Sequence, residues 1–162
     1  MKVMLVNGSP HEHGCTDAAL REVASALNAD GIDTEIFWIG NTPIGGCIAC
    51  GGCSKAGKCV FADDGVNEFV EKAREADGFV FGTPVHYAAA SGNMTAFMDR
   101  LFYSAQKEAF CRKPAAVITS ARRAGTTAAY EQLLKYPGIT EMPIVSSCYW
   151  NNVHGSRAED IQ

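Results

Sequence analysis

Two stretches of this chain carry residue types at spacings suited to chemistry. The first is Gly8-Ser9-Pro10-His11-Glu12-His13-Gly14-Cys15-Thr16. It follows the apolar run Val3-Met4-Leu5-Val6 and precedes an amphipathic stretch from Asp17 to Leu27. A polar loop of this kind between a first strand and a first helix is a candidate phosphate cradle. Its backbone N–H groups and hydroxyls converge on the positive end of the helix dipole. It lacks both the Gly-Lys-Ser/Thr ending of a triphosphate loop and the GxGxxG dinucleotide fingerprint. A cradle without lysine suits a terminal phosphate monoester held by neutral donors. The plain alternative is a solvated turn that binds nothing.

The second stretch holds Cys47, Cys50, Cys53 and Cys59. Two consecutive CxxC steps and a fourth cysteine in one loop suit a compact [4Fe–4S] cluster, whose thiolates must wrap the cube closely. Gly45, Gly46, Gly51, Gly52 and Gly57 permit that tight backbone. Zinc is the second reading, although four-thiolate zinc sites usually place their CxxC pairs far apart. Thiols that hold no metal are the third. The other cysteines, Cys15, Cys111 and Cys148, read as packing residues. An odd count of seven cysteines without a secretion signal argues against a disulfide framework.

The elements that must position these residues alternate between apolar runs and amphipathic helices. Strands are expected at Lys2–Val6, Thr34–Ile39, Gly78–Gly82, Ala115–Thr119 and Pro143–Ser147. Helices are expected at Thr16–Ala29, at Val66–Ala76 with a cap near Asp64, at Ser91–Ala105 with Ser91 as N-cap, and at Thr126–Tyr136, ended by Pro137-Gly138. This alternation predicts an α/β domain over residues 1–162: a doubly wound, five-stranded parallel sheet with a cysteine-rich insertion at about 45–62. Continuously apolar strands such as Phe79-Val80-Phe81 fit a sheet covered on both faces. Ligands of such sheets sit beyond the carboxyl ends of the strands, where the winding reverses. The loops after strands one, three and four are therefore the expected site loops. The fifth strand lacks a following helix in the sequence, so its cover is expected to be missing or supplied by a neighbouring subunit.

With 47% hydrophobic and 20% charged residues, the chain reads as an ordinary globular protein. A formal net charge of −4 argues against a nucleic-acid partner. The N-terminal segment reads as neither a signal peptide nor a membrane span, and the expected compartment is the cytoplasm.

The loop after strand three is Thr83-Pro84-Val85-His86-Tyr87, followed by small residues, with Tyr87 offering an aromatic surface to a flat ligand. The loop after strand four, Ser120 to Gly125, offers a hydroxyl, free N–H groups and the charge of Arg122 and Arg123. Together the three loops resemble those of the flavodoxin-like NADPH-dependent FMN reductases, and within them the iron–sulfur flavoproteins. The resemblance runs from Met1 to about Gly155.

It implies the strand order 2-1-3-4-5 and a bound FMN. Ser9, Pro10, His11, Gly14, Cys15 and Thr16 would form the phosphate loop. Thr83, Pro84, Val85, His86 and Tyr87 would lie along the isoalloxazine, and Ser120, Arg122 and Gly125 would lie at its other edge. Three departures stand out: His11 where the family often has Arg, Cys15 where Asn or Ser is common, and no closing C-terminal helix. Two activities are implied. One is a reductase taking electrons from NAD(P)H and passing them to a small acceptor. The other is an electron carrier passing single electrons between FMN, a [4Fe–4S] cluster at Cys47, Cys50, Cys53 and Cys59, and a protein such as ferredoxin. A homodimer or tetramer is implied as well.

Overall fold

The computed structural model describes residues 1–105 and 107–161. Strand β1 (Lys2–Asn7) pairs with β2 (Asp33–Trp38) on one side and β3 (Gly78–His86) on the other. The order continues through β5 (Ala115–Ala121) to β6 (Asn152–His154), and all these pairings are parallel. A two-residue strand, β4 (Ala89–Ala90), turns back antiparallel on the end of β3. Apart from that addition, the sheet has the predicted flavodoxin order.

Period-two alternation sends side chains to opposite faces. Leu5, Val80 and Ile118 meet Leu20 and Ala24 of α1 (Cys15–Ala29) on one face. Met4, Val6, Phe79, Phe81 and Val117 face a larger core on the other. That core is closed by α3 (Val66–Glu75), α4 (Gly92–Ser104) and α5 (Thr126–Ile139). Rings of Phe37, Phe69 and Phe97 pack edge-on at 5.1 and 5.6 Å there. No helix among the described residues is long and apolar enough to cross a membrane.

Glu35 ties the edge of the sheet to α3. Its carboxylate pairs with Lys2 at 2.6 Å and with Lys72 at 2.8 Å. The hydrogen bonds from Lys2 and then Lys72 hold its pKa below the usual carboxylate range. The folded state therefore releases this proton more readily than the unfolded chain. The resulting stabilisation is complete above the unfolded value of about 4.3 and is lost as pH falls through the lower folded value. Acid titration of stability should accordingly be flatter for Glu35→Gln across that window. Parallel curves for the two proteins would contradict the assignment.

Four elements differ from expectation. Strand β3 runs on through Pro84 to His86, so most of the expected second loop is strand. The expected fifth strand at Pro143–Ser147 shrinks to one bridge, between Ala115 and Ile144. The chain then leaves the sheet and returns as β6, where Thr119 pairs with Asn152. Helix α5 continues past Pro137 to Ile139 although Pro137 has no N–H to donate. The burial of Pro137 and the 2.5 Å bond from the Tyr136 hydroxyl to Asp99 hold that last turn in place. Asp64 does not cap α3, whose N-cap is Gly65; it pairs with Arg100 instead. Beside α1 the C-terminal segment forms a single helical turn at Ala158–Asp160.

Candidate functional site

The loop after β1 is shaped by residues on both sides of it. Asn7, fully buried at the strand end, accepts a bond from the Ser9 N–H at 3.1 Å and donates to Glu12 O at 3.0 Å. Ser9 Oγ accepts from the His11 N–H at 3.1 Å. Trp38 of β2 donates its indole N–H to Ser9 O at 2.8 Å. The loop delivers the chain to Gly14, the N-cap of α1, and no side chain caps that helix. Its first-turn N–H groups are left without a side-chain acceptor, the arrangement that suits an anion. Asp17 lies in this turn, but its carboxylate is paired with Arg21 at 2.7 Å and His13 at 3.3 Å. His11 is exposed at the loop surface.

Cys15 contributes backbone to this loop rather than its thiol. The Sγ lies toward Gly155, and burial together with the Asp160 carboxylate pushes the thiol's pKa up. Of the other packing candidates, Cys111 is half-buried and its thiol donates to Glu141 at 3.5 Å. Cys148 is exposed on the segment between the two parts of the broken strand, so its packing role is not realised.

After β3 the backbone makes a two-residue hairpin turn at Tyr87 and Ala88, with φ of 51° and 59°. Two successive positive φ values are the signature of a type I′ turn, which ordinarily calls for Asn or Gly. Placing Tyr and Ala there stores backbone strain of about 1–3 kcal/mol per residue, a cost that concentrates at functional sites. Tyr87 projects fully into solvent at the tip. Just beyond, Ser91 caps α4 by accepting from the Met94 N–H at 3.2 Å, as its position predicts.

The three loops meet pairwise. Gly8 donates to Gly82 O at 2.8 Å, and the Ser91 hydroxyl donates to Gly8 O at 2.8 Å. The hydroxyls of Thr16 and Ser120 are 2.8 Å apart. Gly125, at φ +94°, sits against the hairpin so closely that an added Cβ would lie 2.7 Å from Ala88 Cα. Arg122 and Arg123 remain exposed at this edge. Residues assigned by sequence to opposite parts of a flavin thus become one rim. Asn7 and Trp38 were not singled out in the sequence. A polar residue ending an apolar strand just before Gly8 was the available signal for Asn7.

Cys47, Cys50, Cys53 and Cys59 all line one cavity of about 130 Å³, together with Phe61, Tyr103 and Arg100. Among the described residues, no three His, Cys, Asp or Glu side chains stand close enough together to hold a metal ion. The four cysteines share the cavity wall without grouping around one point. Short helix α2 (Cys53–Ala56) carries one of them, with its Sγ donating to Tyr103 O at 3.5 Å. Arg100 is the element of this wall that sequence reasoning missed. The available signal was an arginine beside the apolar face of Met94, Phe97, Met98 and Leu101 on α4, where a charge needs a partner.

Comparison with known proteins agrees with this geometry. The chain is 38% identical over 100 residues to an iron–sulfur flavoprotein of Methanocaldococcus jannaschii, covering 62% of this chain and 51% of that protein. It is 30% identical over 100 residues to an iron–sulfur flavoprotein of Methanosarcina thermophila, covering 62% and 52%. The chain thus spans about half the length of the curated relatives it matches. Among solved structures, an archaeal flavodoxin superposes with a TM-score of 0.65 at 14% identity over 95% of this chain and 85% of its own. The NAD(P)H:acceptor oxidoreductase FerB of Paracoccus denitrificans superposes with a TM-score of 0.68 at 17% identity, over 93% and 78%. These two show the fold. Because the family model for NADPH-dependent FMN reductases spans residues 1–156, taking in all three converging loops, the chain belongs to the NADPH-dependent FMN reductase family.

Proposed function

We propose that this chain is an FMN-dependent oxidoreductase, with NAD(P)H as electron donor and a small molecule as acceptor. The observation that carries the reading is the pairwise contact of the three loops at the carboxyl ends of β1, β3 and β5. The uncapped first turn of α1 and the Ser9 hydroxyl would hold the phosphate, with Thr16 and Ser120 fixing the loop beneath it. The strand end from Thr83 to Tyr87 and the segment from Ser120 to Gly125 would orient the ring from its two edges. Exposed Arg122 would draw an anionic donor toward the rim. Bound FMN would supply the redox chemistry.

The test is FMN titration of the Ser9→Ala/Thr16→Ala protein. Affinity is expected to weaken by about 1–3 kcal/mol, through the lost Ser9 hydrogen bond to a charged group and the lost Thr16–Ser120 pair that fixes the loop. FAD is expected to bind worse than FMN, because the cradle closes around a terminal phosphate. Unchanged FMN affinity in the double variant overturns the reading.

A second reading is an electron carrier with a [4Fe–4S] cluster and a protein partner such as ferredoxin. The sharing of one cavity wall by four cysteines favours it. Among the described residues no three of these side chains stand close enough together for a single zinc ion, whereas a four-iron cube takes one thiolate at each iron. Helix α4 supports coupling of the two sites. Its N-cap touches the phosphate loop, and Arg100 at the cysteine cavity lies about 12 Å along the helix from Gly92. Flavin bands with a broad iron–sulfur shoulder in anaerobically purified protein would support the carrier, and flavin bands alone the reductase. The groove beside α1, lined by Val80, Ala116, Ile118 and Val153, supports the homodimer or tetramer that the resemblance implies.

A further inference from the structure

Arg100 is 1% exposed, and its whole guanidinium is turned to the cysteine loop. Nη1 donates to Gly45 O at 3.3 Å and pairs with Asp64 Oδ2. Nη2 donates to Phe61 O at 3.1 Å and to Asp64 Oδ1 at 3.0 Å. The guanidinium carbon lies 5.0 Å from the centre of the Phe61 ring. These contacts fasten the loop at both ends and account for the residue as a brace. They do not account for the remaining donor. Nε–H points at Cys59 Sγ at 3.2 Å, and a thiol is a weak acceptor. A buried cationic donor gains most from a sulfur that carries negative charge.

We infer that Arg100 is a positioning residue for the iron–sulfur centre, holding Cys59 on the cavity wall and biasing the centre toward its reduced form. The inference rests on the cluster reading above. Reduction places one more negative charge on the cube and its thiolates. A cation and an N–H donor at one ligand sulfur stabilise that state more than the oxidised one, and burial strengthens the effect. Asp64 opposes it, since its carboxylate faces the same guanidinium.

The experiment is anaerobic reconstitution of the full chain with iron and sulfide, then redox titration followed by EPR. Arg100→Gln is expected to shift the cluster midpoint potential negative. Arg100→Lys, which keeps the charge, should shift it less. Asp64→Asn is expected to shift it positive. Arg157→Gln removes an exposed charge on the C-terminal segment and should leave it in place. A brace alone would change iron retention or thermal stability without shifts of opposite sign. Should Arg100→Gln fail to fold or to load, the signs for Arg100→Lys and Asp64→Asn decide. Wild-type protein that takes up no iron overturns the cluster reading and this inference together. A loaded wild type with potentials unmoved in the loaded variants overturns the inference alone.

Discussion

Gly125→Ala is expected to weaken FMN binding by about tenfold or more, a loss of at least about 1.4 kcal/mol. It is also expected to destabilise the chain itself by about 2–5 kcal/mol. Two costs act at one position. The backbone there has φ +94°, which an L side chain rarely adopts, and the new Cβ would lie 2.7 Å from Ala88 Cα and 3.0 Å from Ala88 Cβ. The first contact is with backbone, so no rotamer change relieves it. Either the third loop lifts or the hairpin at Tyr87 and Ala88 moves, and both moves open the rim. Gly138→Ala supplies the comparison, because that glycine lies near the end of α5 with nothing within 4 Å of an added Cβ. It should leave FMN affinity unchanged and stabilise the helix by up to about 1 kcal/mol. Fluorescence titration with FMN and urea denaturation of both proteins measure the two effects. Equal FMN affinity in the two variants would mean that contact between the second and third loops does not shape the binding site.

Replacing any one of Cys47, Cys50, Cys53 or Cys59 by Ala is expected to abolish iron and sulfide incorporation while FMN remains bound. The four thiols line a single cavity, so each would close one corner of the same centre. Removing one leaves an open coordination position that water and oxygen reach through an exposed loop, since Cys47 and Cys50 are both at the surface. FMN should survive because its proposed loops lie at the other end of α4, and among the described residues none of the four cysteines is hydrogen-bonded to them. Cys148→Ala, on the exposed segment before β6, and Cys111→Ala, beside Glu141, should retain full iron. Iron and sulfide analysis after anaerobic reconstitution, with FMN quantified from the same samples, checks both halves. Full iron in two or more of the four variants would remove these cysteines as a ligand set.

The alternation of apolar runs and amphipathic stretches determined the layers of this protein by itself. β1, β2, β5, the first half of β3 and helices α1, α3 and α4 lie where their periodicity predicts, because burial on a sheet face depends on spacing along the chain. The two candidate sites could be proposed from the sequence for a related reason. A Gly-rich turn must follow β1 for a helix N-terminus to face an anion, and clustered cysteines share one loop whatever the surrounding fold. What the sequence did not contain was set by partners distant along the chain. The strand expected at Pro143–Ser147 holds only one bridge, while polar Asn152–His154 pairs with the end of β5, where Thr119 donates to Asn152 at 2.7 Å. The type I′ turn at Tyr87 and Ala88 has no sequence signature and is held where Gly125 packs on it. Asp64 reads locally as a helix cap, yet it answers a buried cation 36 residues away. Leaving Arg100 unpaired in the interior would cost several kcal/mol, more than the roughly 1 kcal/mol that a cap contributes. Local patterns therefore determined the elements and the chemistry each loop could offer. Long-range pairing decided which loops meet, because desolvated charges and unpaired backbone groups can be satisfied only by whatever the fold brings beside them.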